Sequence, residues 1–249
     1  MYQTSMDISP LGSFQEGLKA SSSLGISNLE TGSSFDSIPY WELDGNQTEE
    51  IRNLLIDYGK RIVLACFDYP LEMLAAYRSA FRRAHLLNVE QVKIIPPNGV
   101  QAGQEKMLSE IARMGKAYGI RVLFENSNSS LLRDDESMTD FYNQLAEQEI
   151  GFIYNPFEFV KGQHHPFFHM FYNSRLKNEI VFLRLCDGLY SSKTPTPLCR
   201  GNTEIKELIS ILLSRTYHGY FSLYPYLSGD PLAAYADTYQ EFKEILKTL

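Results

Sequence analysis

The chain has 249 residues, 44% of them hydrophobic, which is ample material for a sizeable core and excludes disorder as its dominant state. Against 23 Lys+Arg stand 30 Asp+Glu, a net charge of −7, the wrong sign for a protein that holds nucleic acid mainly through phosphates, although a local basic cleft stays open. Cys66, Cys186 and Cys199 are odd in number and have no C-x-x-C spacing, so neither a disulfide framework nor a structural zinc site is expected, and a reducing, cytoplasmic setting is. The first residues lack a basic stretch followed by an apolar one, and no run of about 18 apolar residues occurs, so neither secretion nor membrane spanning is expected. No Pro- or Gly-rich linker marks a boundary, and residues 1–249 read as a single domain.

Short apolar runs rich in β-branched and aromatic residues recur along the chain, most of them followed by a longer stretch with helical periodicity. Strands are predicted to begin near Gln3, Ile26, Arg61, Gln91, Ile120, Ile150, Ile180 and Tyr220. Between them the pattern predicts helices over Glu49 to Tyr58, Leu71 to Leu87, Gln104 to Tyr118, Met138 to Glu149, Glu204 to Ser214 and Leu232 to Leu246. Asp230-Pro231 reads as cap and first residue of the last helix, and Gly59, Gly119 and Gly219 stand where helices give way to strands. Eight strands in a chain of this length match the repeat of an α/β fold of the (β/α)8 TIM-barrel type, about 250 residues in size. An open doubly wound sheet is the alternative, but no G-x-G-x-x-G follows the first strand.

In such barrels the functional site lies at the C-terminal ends of the strands, so the polar residues that close each strand become the candidates. They are Asp7, Glu30, Asp68, Asn98, Glu125 with Asn126, Asn155 with Glu158, Arg184 with Asp187, and Tyr224.

Those residues resemble a known family. Gly119-Ile-Arg-Val-Leu-Phe-Glu125-Asn126 is similar to the fifth strand of the sugar phosphate isomerase/epimerase superfamily, the xylose-isomerase-like barrels that include the apurinic endonuclease type. Ile150 to Asn155, Ile180 to Asp187, Gly201-Asn202 and Gly219 to Tyr224 follow in the family's order as strand six, strand seven, its loop and strand eight. The resemblance implies a divalent metal, Mn²⁺, Mg²⁺ or Zn²⁺, held by a Glu, an Asp, a His and a Glu that end strands five to eight, with an assisting His three residues past the Asp. At the matching positions this chain keeps only Glu125; Asn155 stands for the Asp, Glu158 for the assisting His, Arg184 for the strand-seven His and Tyr224 for the last Glu.

These departures change the chemistry. Arg184 has no lone pair to give a metal, and Tyr224 is a poor ligand and no carboxylate base near neutral pH. At about 4 Å and an effective dielectric near 20, one unit charge repels or attracts another by roughly 4 kcal/mol, enough to remove useful metal affinity. The usual metal site is therefore expected to be lost, with Arg184 replacing the metal electrostatically as a bidentate partner of an ionised Glu125.

Other features carry weaker signals. His164-His165 lie in the loop after strand six and read first as solvated loop, with either able to contact a ligand. Arg200 in Arg200-Gly201-Asn202 is a candidate for holding an anion near strands seven and eight, while Asp68 and Asn98 fit helix caps as well as sugar hydroxyls. Glu30 is the stronger candidate for polyol recognition. Phe35, Tyr40 and Trp41 form a segment that either covers the mouth or anchors its own loop. Cys186 has no His partner in sequence for nucleophilic chemistry.

Two functions follow from the resemblance. In the first, the protein isomerises or epimerises a sugar or sugar phosphate without the usual metal: Arg184 stabilises an enediolate, Glu125 or Glu158 handles the proton, and Glu30, Asn155, Asp187, Tyr224, His164 and Arg200 bind the ligand. In the second, the barrel binds a carbohydrate without turnover. No cofactor, nucleic-acid partner or membrane partner is expected in either, and the sequence leaves the oligomeric state open. Abasic-site endonuclease action would need a zinc cluster of His, Asp and Glu that the sequence does not offer.

Overall fold

The eight apolar runs form eight parallel strands: β1 Gln3–Asp7, β2 Asn28–Thr31, β3 Arg61–Phe67, β4 Gln91–Ile94, β5 Arg121–Glu125, β6 Gly151–Tyr154, β7 Ile180–Leu185 and β8 Tyr220–Leu223. In this computed structural model, which describes residues 2–96, 104–145, 149–163, 175–226 and 229–249, they close in the order β1-β8-β7-β6-β5-β4-β3-β2. The expected (β/α)8 barrel is the fold. Every residue of β6, β7 and β8 is buried, the continuous burial that parallel strands acquire when both faces are covered.

The helices among the described residues are α1 Phe14–Ser23, α2 Gly45–Asp57, α3 Leu74–Leu86, α4 Gln104–Ala117, α5 Asp135–Leu145, α6 Pro156–Lys161, α7 Ile205–Ser214 and α8 Pro231–Lys247. α5 begins earlier than its apolar periodicity suggests, because Asp134 Oδ1 accepts from the Ser137 amide at 2.8 Å while Ser137 Oγ accepts from the Asp134 amide at 3.2 Å. α8 starts as expected, with Asp230 accepting from the Leu232 amide and Pro231 at the first turn.

α1 and α6 were not among the predicted helices. α1 carries a capping box: Ser13 accepts from the Glu16 amide, and Glu16 accepts from the Ser13 amide. Its serine-rich end hides that signal, since Ser21, Ser22 and Ser23 bond back to carbonyls three or four residues earlier. α6 is a helix of six residues capped by Asn155, too short to show a period.

Gly59 and Gly119 take positive φ, 60° and 71°, as helix caps. Gly219 does not; Thr216, at φ 56°, makes that turn instead. What position 219 requires is close approach, because a Cβ there would lie 2.2 Å from the Val181 carbonyl oxygen.

The chain packs as two compact units, one of Ser5–Phe124 with Leu145–Gly151, the other of Met1–Thr4, Glu125–Gln144 and Phe152–Leu249. In the first, Phe14, Phe35, Tyr40, Phe67 and Phe81 form a buried aromatic cluster. Phe35 and Tyr40 thereby anchor the segment after β2 to its own strands; Trp41 is half-buried. The second unit contains the polar network described next. No helix among the described residues is long and apolar enough to cross a membrane.

Candidate functional site

β5 ends in Glu125, and β7 carries Arg184 one residue before its end. Arg184 is 1% exposed, and its guanidinium grips Glu125 in a two-point fork: Nε donates to Oε1 and Nη2 to Oε2, each at 3.1 Å. Parallel register places Ser222 of β8 beside Arg184, whose Nη1 donates to Ser222 Oγ at 2.6 Å. The Tyr224 ring lies against the guanidinium, 4.2 Å from Cζ to the ring centroid. The expected bidentate pair is thus in place, on a cation buried in the strand layer.

Asn155 completes the first part of the network. Its Nδ2 donates to Glu125 Oε1 at 2.8 Å and to the Tyr226 hydroxyl at 2.7 Å. Its Oδ1 turns the other way, accepting from the Glu158 amide and the Cys186 thiol, each at 3.4 Å, and so caps α6. Asn126 fixes this arrangement by exchanging two bonds with the Asn155 backbone: the Asn155 amide donates to Asn126 Oδ1 at 2.7 Å, and Asn126 Nδ2 donates to the Asn155 carbonyl at 2.8 Å.

Tyr226 leads to a second carboxylate. Its hydroxyl donates to Glu158 Oε1 at 3.2 Å, and Lys161 ion-pairs with the same oxygen one helical turn on. The other oxygen of Glu158 accepts from the Asn128 amide at 3.0 Å and from Ser127 Oγ at 3.2 Å. The Lys161 ammonium also sits over the Phe157 and Tyr226 rings, at 5.3 and 5.4 Å. Burial, with the negative charges of Glu125 and Glu158 added, holds the Tyr226 hydroxyl well above its ordinary range, so it stays protonated and donates. Burial also pushes the Cys186 thiol up, against any thiolate chemistry.

The candidate residues therefore separate by environment. Glu125, Asn155, Glu158, Arg184 and Tyr224 form one connected cluster. Asp187 is 2% exposed and accepts from the Gly188, Gly201 and Thr203 amides and from Thr203 Oγ1, at 2.8–3.0 Å, so its carboxylate ties the loop after β7 together. Gly188 leaves room for Phe157, whose ring would stand 1.9 Å from a Cβ. Arg200 is exposed, and the neighbouring Gly201 amide is committed to Asp187. Glu30, in the other unit, is buried and accepts from Ser5 Oγ at 2.7 Å. Asp68 is exposed, whereas Asn98, His164 and His165 lie outside the described residues.

Ser222, Lys161 and Tyr226 are the residues that strand-end reasoning missed. Ser222 is a mid-strand residue found only through register. Tyr226 had a signal: the residue before Pro225 is extended, and residues two apart on an extended chain share a side, so Tyr226 falls on the side of Tyr224. Among the described residues no group of three or more His, Cys, Asp or Glu side chains is placed to hold a metal ion.

No protein-family model and no curated protein sequence matches this chain. Solved structures do. A xylose isomerase-like TIM barrel protein from Mycobacterium smegmatis, solved in complex with magnesium, is similar with a TM-score of 0.79 and 14% identity over 100% of this chain and 97% of that one. A xylose isomerase domain protein from Planctomyces limnophilus matches at 0.79 and 11% identity over 99% and 97%. A D-allulose 3-epimerase from Methylomonas sp., in complex with D-allulose, matches at 0.75 and 10% identity over 100% and 97%. The fold is accordingly that of the xylose-isomerase-like barrels, end to end.

Proposed function

We propose that this protein is a cytoplasmic barrel that binds a carbohydrate-type ligand at the C-terminal ends of β5 to β8, with no divalent metal, and does not turn it over. The observation that carries this reading is the bidentate Arg184–Glu125 pair. The side chains at this position do not fit a dication. Both Glu125 oxygens accept from the guanidinium, and the atom Asn155 presents to Glu125 is its donor nitrogen rather than its oxygen. A cation bound here would face the permanent charge of Arg184.

The same contacts support binding over isomerisation. A proton-abstracting base needs a lone pair aimed at the substrate and a basicity near the working pH. Glu125 is held by a guanidinium and an amide, while Glu158 accepts from an amide, two hydroxyls and an ammonium, so the acceptor atoms of both carboxylates are engaged inside the protein rather than aimed at a substrate. Fixed donors and acceptors beside the half-buried rings of Tyr224 and Tyr226 suit a ligand with hydroxyls on an apolar carbon skeleton. The structural neighbours include a D-allulose 3-epimerase in complex with D-allulose, consistent with the ligand class.

Two measurements test the reading. After incubation with Mn²⁺, Mg²⁺, Co²⁺ and Zn²⁺ and removal of free ions, elemental analysis is expected to find no stoichiometric metal. Calorimetric titration with a panel of monosaccharides, polyols and their phosphates is expected to find a binder, with no interconversion of that compound by NMR. Stoichiometric metal, or metal-stimulated isomerisation, overturns the proposal.

A further inference from the structure

The outer faces of two helices carry complementary charge that no ion pair among the described residues uses. α3 has the sequence LAAYRSAFRRAHL, with three arginines and no acidic residue, in a protein of net charge −7. Arg78 and Arg82 are exposed, four residues apart on one stripe, and neither makes an ion pair among the described residues. α5 has the sequence DESMTDFYNQL, with three acids and no basic residue. Its Glu136 and Asp140 are likewise exposed, four residues apart and without an ion pair among the described residues.

Like charges one turn apart repel, so each helix is weakened by its own stripe. A pattern of that kind is relieved when an opposite stripe docks on it. Four residues rise about 6 Å along a helix, so the two stripes have matching spacing. Laid antiparallel, Arg78 meets Asp140 and Arg82 meets Glu136 at the same time, and the guanidinium fork suits a carboxylate. Ala75 and Ser79, also exposed on α3 beside the arginines, are short enough to let a second helix approach.

We infer that α3 of one molecule docks against α5 of a second copy, so that the protein self-associates through paired Arg–carboxylate contacts. Each chain carries both stripes, so the contact either forms twice in a two-fold pair or repeats along an open chain. A second copy is the occupant because it supplies the opposite stripe at the required spacing.

Sedimentation velocity on the full chain tests this. The wild type is expected to associate at about 0.05 M salt, and its dissociation constant to rise about tenfold by about 0.5 M, as the screening length falls roughly threefold. The variant Arg78→Glu/Arg82→Glu then has two acidic stripes, and Glu136→Arg/Asp140→Arg has two basic ones. Each alone is expected to be monomeric, and an equimolar mixture of the two to associate again. Circular dichroism checks that both fold, which exposed substitutions should allow. A wild type that stays monomeric at low salt overturns the inference. Association that survives either charge reversal, or a mixture of the two folded variants that stays monomeric, overturns it equally.

Discussion

After β2 and β3 the chain fills space with rings. Phe35 meets Phe14 edge-on at 4.9 Å, Tyr40 tilts against Phe67 at 5.2 Å, and Phe67 stacks on Tyr69 at 5.4 Å. After β5 to β8 it does the opposite, placing two carboxylates, a guanidinium and two amides where burial is nearly as complete, with the half-buried ammonium of Lys161 beside them. The aromatic region asks only for area and a few hydroxyl bonds, such as Tyr77 to the Tyr69 carbonyl at 2.7 Å. The polar region asks for identity. An Asp at 155 would put a second carboxylate against Glu125, and a His at 184 would lose the fork, so each residue is defined by its partners. A fold gains nothing in stability from such a cluster that apolar residues of equal volume would not supply, which is why function is sought there.

The sharpest way to break this contrast is to truncate one residue from each region. Phe67→Ala and Arg184→Ala are each expected to cost about 3–5 kcal/mol in urea unfolding, the first through a cavity and the second through the carboxylate left unpaired. Their rescue differs. Adding Glu125→Leu to an Arg184→Met background is expected to recover most of the loss, because the unpaired charge goes with it. Carbohydrate affinity should survive Phe67→Ala and be lost in every Arg184 variant. If Glu125→Leu deepens the loss instead, Glu125 is stabilised by something other than Arg184, and the electrostatic reading of the pair fails.

High pH attacks both regions through one mechanism and is expected to have a smaller effect. Tyr40, in the aromatic region, and Tyr154, on β6, are each fully buried, and burial raises both hydroxyls above their ordinary value of 10.0. Above pH 10 the unfolded chain releases these protons while the fold retains them, so the unfolded state binds fewer protons and stability falls as pH rises. The contribution is fully present below pH 10. By pH 11 the two together should remove about 2–3 kcal/mol. The check is ultraviolet absorbance during alkaline titration: the tyrosinate signal of these two should appear only with unfolding. A gradual signal in a chain still folded would mean that the two rings reach solvent.

How much of this the sequence reveals depends on the range of the interaction. The eight strands are legible because burial on both faces leaves an unbroken apolar run, as in Ile180–Leu185, where the one charge, Arg184, stands out. Glu125 and Arg184 are legible as partners because a carboxylate that closes one strand is satisfied by a positive charge, and another strand end offers one. Ser222 and Lys161 are not legible. Ser222 reaches Arg184 only through the register of two strands 38 residues apart in sequence, and Lys161 reaches Glu158 only if Asn155 starts a helix there. The partners of Asp187 are hidden for a related reason. It closes a strand like a site residue, yet its acceptors are taken up by amides as distant as Thr203, which no local pattern predicts.

The smallest expected effect separates the two regions most finely, because it removes one oxygen from each. Tyr226→Phe deletes the hydroxyl that joins Asn155 to Glu158, and Tyr77→Phe deletes the one that ties α3 to the Tyr69 carbonyl. Each should cost about 1–2 kcal/mol of stability, the usual worth of a hydrogen bond whose partner is left buried. Glu158 keeps Lys161, Ser127 and Asn128, so the Tyr226→Phe fold should persist with its carboxylate still held. What changes is the placement of Asn155 Nδ2, which loses one of its two acceptors and with it the constraint that aims it. Carbohydrate affinity should then fall about tenfold, or 1.4 kcal/mol, in Tyr226→Phe and remain unchanged in Tyr77→Phe, as read by calorimetry. Equal losses in both would mean that the aromatic region also shapes the ligand site, and the division between a packing region and a recognition region would have to be abandoned.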